Sequence, residues 1–236
     1  MAQTPRAPGS ALRTILLDID GTLIDSNDAH ARTWVDALRT HGYVVPFGQV
    51  RPLIGKGGDK LLPELTGLDP ESGEAERIGA TRSELFLRRE LPSLRPTPGA
   101  RSLLEHMLGR GLELVVATSA EEAEVRALLE QAGVSDLIQQ ASSADDAERS
   151  KPDPDIVQAA LRSSGSQAAH SAMVGDTPYD VEAAARARVP AIALRCGGWW
   201  DDAALAQARA IYDDPADLLA HFEESPIGRA WGTTTR

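Results

Sequence analysis

The stretch that most constrains this chain is Ile15-Leu16-Leu17-Asp18-Ile19-Asp20-Gly21-Thr22-Leu23-Ile24-Asp25. It opens as an apolar run of strand length and then sets down two carboxylates, Asp18 and Asp20. On an extended chain, positions two apart face the same side. Two carboxylates on one side at the end of a buried strand repel each other and lose hydration. A hard dication with oxygen donors, typically magnesium, relieves that cost. A carboxylate so placed can also attack phosphorus and form an aspartyl-phosphate. Gly21 and Thr22 allow a sharp turn out of the strand. The plainer alternative is a strand that runs into an acidic turn.

Beyond Asp25, Ala31, Val35 and Leu38 recur at helical spacing. From 44 to 94 no buried strand is legible. Helical pieces stand there instead, at 60–65 and 75–90, broken by Pro46, Pro52, Pro63 and Pro70. Thr97-Pro98 reads as a helix start, a cap residue before a first-turn proline. Strands and helices then alternate. Leu112 to Ala117 is a strand ending in Thr118-Ser119, Ala172 to Val174 ends in Gly175-Asp176, and Ala191 to Leu194 and Ala210 to Tyr212 follow. Alternation of this kind predicts an α/β fold, a Rossmann-like, mostly parallel sheet with helices on both faces. Residues 26–95 break the rhythm and read as an inserted helical cap. The core is then 12–25 plus 96–222, with loose tails at 1–11 and 226–236.

Composition excludes several classes. With 42% apolar residues among 236, the chain can bury a core, and its formal net charge is −11. That charge opposes nucleic-acid binding, which needs clustered Lys and Arg. No apolar run is long enough for a membrane helix. The lone cysteine, Cys196, excludes an internal disulfide and a multi-cysteine metal site. A reducing, cytoplasmic setting fits, with Cys196 as a structural thiol. No oligomeric state is specified.

In open parallel sheets, ligands bind at the carboxyl ends of the strands. That rule gathers Asp18, Asp20, Thr118, Ser119, Lys151, Asp176 and Asp180 into one place. Each suits phosphoryl transfer, which needs positioning and charge neutralisation. Asp18 would be the nucleophile. Magnesium would be held by Asp18, Asp176 and the backbone carbonyl of Asp20. Thr118, with Ser119 and nearby backbone N–H groups, would bind phosphate oxygens. Lys151 would add positive charge and hold Asp18. Asp20 would be first the general acid and then the general base. Asp180 would orient Lys151 or a metal-bound water. Taken singly, each has an ordinary explanation: a cap, a solvated lysine, acids in a helix's first turn. Their joint occurrence at strand ends does not.

These residues resemble a known family. Asp18-Ile19-Asp20-Gly21-Thr22-Leu23, Thr118, Lys151-Pro152-Asp153-Pro154-Asp155 and Gly175-Asp176-Thr177-Pro178-Tyr179-Asp180 are similar to the four motifs of the haloacid dehalogenase-like hydrolases. The likeness covers about 12–222. It implies a Rossmann-like core, Mg2+, an aspartyl-phosphate and a helical cap after the first motif. Asp20, absent from the dehalogenating namesakes, favours phosphate chemistry.

Asp25-Ser26, His30 and Trp34 resemble the first cap helix of β-phosphoglucomutase-like members, where the histidine helps control the general acid. Gly58 replaces the arginine expected of that mutase. The loop Ile54-Gly55-Lys56-Gly57-Gly58-Asp59-Lys60 is closer to phosphoglycolate-phosphatase-like members. Gly21, Ser119, His30, Lys56 and Lys60 are the expected substrate-binding residues. The reading is a phosphatase for a small phosphorylated metabolite. The alternatives are a sugar-phosphate mutase and, outside enzymes, a phospho-receiver.

Overall fold

The computed structural model describes residues 12–232. The strands are β1 (Thr14–Leu17), β2 (Glu113–Ala117), β3 (Gln140–Ser142), β4 (Ser171–Gly175), β5 (Ala191–Leu194) and β6 (Ala210–Tyr212). They form one sheet in the order β3-β2-β1-β4-β5-β6, and every pairing is parallel. β1, β4 and β5 are buried along their whole length. That is why they read as unbroken apolar runs and not as alternating ones.

The helices are α1 (Asn27–Thr40), α2 (Phe47–Val50), α3 (Gly58–Thr66), α4 (Gly73–Leu85), α5 (Ala100–Gly109), α6 (Glu122–Gln131), α7 (Asp155–Ser163), α8 (Pro178–Arg186), α9 (Pro215–Ala220) and α10 (Pro226–Gly232). The first four, α1 to α4, build their own apolar cluster, centred on Trp34, Leu38, Leu53, Leu61 and Ile78. Two other clusters fill the two faces of the sheet. The helical insertion is therefore a separately packed cap over an α/β core.

Register decides where the strand ends fall. Leu17 pairs with Val116 on one side and with Val174 on the other. The residues that leave the sheet beyond these partners, Asp18, Thr118 and Asp176, therefore emerge along one edge.

Three expectations need correction, and one strand has no signal in the sequence. The helix expected at Thr97-Pro98 begins at Ala100, after Gly99 at φ 75°. Thr97 instead donates its hydroxyl to the Thr22 carbonyl at 2.7 Å, tying the returning chain to the first turn. Pro63 lies inside α3 and does not end it. The third strand, Gln140–Ser142, has no strand pattern in the sequence because it carries no apolar residue larger than alanine. Finally, Pro226 does not start a loose tail. It opens α10, where Ser225 Oγ accepts from Gly228 N at 3.1 Å. Ile227 is fully buried in the larger cluster with Leu218 and Phe222. The rest of the expected tails, 1–11 and 233–236, lies outside the described residues. Among the described residues no helix is long and apolar enough to cross a membrane.

Replacing Ile227 by alanine should therefore destabilise the fold by roughly 2–5 kcal/mol. A urea midpoint unchanged from the parent would mean that this segment does not pack.

Candidate active site

Asp18, at the carboxyl end of β1, is buried. Lys151 approaches from the loop before α7, and its side chain is equally buried. Its Nζ lies 2.5 Å from Asp18 Oδ1 and 2.7 Å from Asp180 Oδ1. Asp180 Oδ2 accepts from the Thr177 backbone N at 3.0 Å and from Thr177 Oγ1 at 2.7 Å. The two residues form a capping box at the start of α8. A local helix-start device thus fixes the carboxylate that steadies Lys151.

Asp176 is held from the other side. Asn27 Nδ2, in the first turn of α1, donates to Oδ2 at 2.7 Å, and Thr22 Oγ1 donates to Oδ1 at 3.0 Å. Oxygens of Asp18, Asp176 and Asp180 all lie within 4.8 Å of one another. Three buried carboxylates thus share one ammonium. Burial raises the Asp18 carboxyl well above its ordinary value; Lys151 opposes this, and Asp180, Asp176 and Asp20 add to it. Burial, then Asp180, pushes Asp176 up to about 7. Burial would lower Lys151, but Asp18 and Asp180 more than reverse it. The residues fit a hard dication: the donors are all oxygens, and one positive charge does not balance three negative ones.

Asp20 faces elsewhere. Its Oδ1 accepts from Ser26 Oγ at 2.5 Å and meets His30 Nε2 at 2.7 Å. Burial alone would raise this carboxyl, but the contacts with His30 and Ser26 and the charge of Arg82 bring it below the ordinary value. Gly21 makes the turn directly after Asp20. Its φ is +75°, and a Cβ there would lie 2.1 Å from Asn27 Nδ2 and 2.3 Å from Asp176 Oδ2. Thr118 is buried, and its Oγ1 accepts from Ala120 N at 3.1 Å. Ser119 Oγ is buried with no partner among the described residues, leaving its proton available to a ligand.

The cap residues divide. His30 and Lys56 line a small cavity of about 50 Å³ over Asp18, Asp20 and Thr118. A second cavity of about 360 Å³ shares Trp34, Lys56, Arg82, Ser119 and Ala120 with it. Lys56 is already ion-paired with Glu64 at 2.5 Å. Lys60, expected at the substrate, lines neither cavity. It bridges from α3 to Asp153 of the core at 2.5 Å. Trp199 is partly exposed, whereas Trp200 packs edge-on to Tyr179 with ring centroids 5.9 Å apart. Cys196 donates its thiol to the Gly21 carbonyl at 3.0 Å, and burial, reinforced by Asp176, pushes that thiol up. It is a structural group, as its sequence context suggested.

Sequence reasoning missed Asn27, Arg51 and Arg82. Arg51 is buried, with Nε 2.5 Å from Asp28 Oδ1 and Nη2 donating to the Gly197 carbonyl. Only Asn27 had a signal, a polar residue directly after the Asp25-Ser26 pair. Arg82 sits among arginines that face solvent, and nothing in the sequence distinguishes it.

A parallel sheet with this acid–lysine cluster at its strand ends, roofed by an inserted helical cap, defines a Rossmann-like α/β enzyme core. Residues 15–194 match the haloacid dehalogenase-like hydrolase family, and the chain belongs to it. A phosphoglycolate phosphatase of Rhodospirillum rubrum is 32% identical over 223 residues, covering 87% of this chain and 89% of its own. The crystal structure of a hydrolase from Pseudomonas syringae superposes with a TM-score of 0.83 at 28% identity, covering 90% of this chain and 98% of the other. A β-phosphoglucomutase from Clostridium difficile shares the fold, with a TM-score of 0.79 at 15% identity and coverage of 94% and 98%.

Gly21→Ala should cost at least about 1–3 kcal/mol, since the added methyl must displace Asn27 or Asp176 in a packed site. Thermal denaturation checks this. A wild-type melting temperature would show that the turn can relax without them.

Proposed function

We propose that this protein is a magnesium-dependent phosphatase acting on a small phosphorylated metabolite through an aspartyl-phosphate at Asp18. The observation that carries the reading is the buried cluster at the strand ends: Lys151 between Asp18 and Asp180, with Asp176 alongside. The phosphatase named among its relatives supports the same chemistry.

Lys151 engages Asp18 Oδ1, and Oδ2 has no hydrogen-bond partner among the described residues. That oxygen attacks phosphorus in line, the new O–P bond forms, and the bond to the leaving alcohol breaks. Protonated Asp20 gives its proton to the departing oxygen. Asp20 is then the carboxylate that His30 and Ser26 hold. It takes a proton from the water that attacks the aspartyl-phosphate, releasing inorganic phosphate and restoring both groups. Asp18, Asp176 and the Asp20 backbone carbonyl would hold a magnesium ion, which would supply charge that screens the anionic nucleophile from the anionic substrate. Thr118 and Ser119 bind phosphate oxygens, and Asp180 keeps Lys151 in place.

The cap, which we bound at 26–95, closes over the reaction and excludes bulk water. The small cavity suits a phosphoryl group, and the adjoining one suits a compact leaving group. A cytoplasmic setting agrees with the one free thiol.

In a phosphate-release screen over small esters with magnesium, Asp18→Asn should lose at least about 1,000-fold in kcat, the scale at which removal of a covalent nucleophile registers. Activity within a few-fold of wild type would end the proposal. An isomerised sugar phosphate in place of free phosphate would make it a mutase. Magnesium should also raise the melting temperature of the wild type, by the linkage that favours any state binding the ion. Asp176→Asn should abolish that increment; an equal rise in both proteins would remove Asp176 from the metal site.

A further inference from the structure

Glu124 lies in the first turn of α6, on the core, and none of its surface is exposed. A carboxylate so deep requires a partner. Both of its side-chain partners among the described residues belong to α4 of the cap: Arg82 Nη1 donates to Oε1 at 2.6 Å and Ser83 Oγ at 2.7 Å. Oε2 is buried without a partner among the described residues. The nearby Glu121, itself raised by burial and by Glu124, offers no compensation. The charge of Glu124 is therefore balanced from the cap.

The other arm of the same guanidinium, Arg82 Nη2, donates to His30 Nδ1. Arginine has no acceptor, so Nδ1 accepts and the imidazole carries its proton on Nε2. That nitrogen is the one 2.7 Å from Asp20 Oδ1. Packing fixes the pieces. Arg82 lies 5.5 Å from the Trp34 ring and 5.3 Å from the Phe86 ring, and His30 stacks on Phe86 at 3.9 Å. The chain of contacts leaves the core at Glu124, crosses the cap through Arg82 and His30, and re-enters the core at Asp20. Ser26, the first residue of the insertion, also reaches Asp20, whereas the links of Lys60 to Asp153, Gly57 N to Ser150 Oγ, Tyr179 to the Pro52 carbonyl, Arg51 to the Gly197 carbonyl and Asn27 to Asp176 do not.

We infer that Glu124 is a positioning residue that couples the seating of the cap to the proton-transfer group. With the cap down, Glu124 takes one arm of Arg82. The other arm then selects the imidazole tautomer that donates to Asp20. With the cap lifted, Arg82 loses its anchor and His30 is free to present either nitrogen. The catalytic consequence rests on the phosphatase reading, because that reading gives Asp20 its role; the tautomer itself does not.

The test uses the full chain and Glu124→Gln, which keeps size and an acceptor oxygen but removes the charge. In 15N-labelled protein, His30, assigned by its loss in His30→Gln, should show a protonated Nε2 and a bare Nδ1. In Glu124→Gln the two nitrogens should move towards an averaged, exchanging pattern. With a small alkyl phosphate, Glu124→Gln and His30→Gln should each lower kcat about tenfold with little change in KM, and the double variant should be no slower than the slower single one.

Unchanged His30 resonances in a folded Glu124→Gln variant would overturn the inference, as would multiplied losses in the double variant. Should Glu124→Gln fail to fold, Arg82→Gln interrupts the same chain from the cap side, with the same outcomes deciding. A wild type inert towards every ester would sink the phosphatase reading alone, and the His30 spectrum would still decide the coupling.

Discussion

Burial of like charge at the end of the central strand governs this structure. Asp18, Asp176 and Asp180 are all but inaccessible and crowd within 4.8 Å of one another. Isolated carboxylates in such a place would protonate or draw in water. Lys151 compensates part of the charge by bridging two of the three. Removing one partner of a buried ion pair typically costs about 3–5 kcal/mol, because the other is left uncompensated. The surrounding hydrogen bonds are therefore as necessary as the charges. Thr177 holds Asp180, while Asn27 and Thr22 hold Asp176. The cluster keeps an excess of negative charge that a dication can answer, so the strain of assembling it becomes binding capacity.

The sheet makes that concentration possible. Parallel strands in register deliver their last residues to one edge, and the turns that follow need not be long. β1, at the centre, contributes Asp18; its neighbours β2 and β4 contribute Thr118 and Asp176. Gly21 then lets the chain double back close enough for Asn27 to reach Asp176. Even the first cap helix is thus anchored to the acid cluster by its opening residue.

The cap meets the core through polar contacts and through apolar packing at its two ends. Lys60, Arg51, Arg82 and the Gly57 amide each reach a core partner, while Ala29, Phe86, Leu91 and Leu94, near the two ends of the insertion, join the core cluster and the other apolar cap residues form a cluster of their own. A lysine read from sequence as a substrate contact, Lys60, serves this interface instead. Spacing marks a cation as available but not where a flexible four-carbon side chain ends.

The sequence alone determined the alternation of strands and helices, the place of the insertion and the four polar groups at strand ends. Those features depend on local periodicity and on residues adjacent to the strands that carry them. Asp18, Asp20, Thr118 and Asp176 were legible for that reason, and Lys151 and Asp180 because each stands at or just before a helix start. β3, only three polar or small residues long, was not, because pairing with β2 and not its own composition makes it a strand. α10 had a usable signal in Ser225-Pro226, but its packing depends on a pocket formed by α9 and the turn after it. The tertiary structure alone decided that Glu124, Arg82 and His30 stand in line with Asp20. The four come from two helices of the cap, one helix of the core and the turn after β1, and contacts between such distant segments leave no spacing to read. Their meeting is fixed by how the cap sits on the core, a long-range fact that no local pattern encodes.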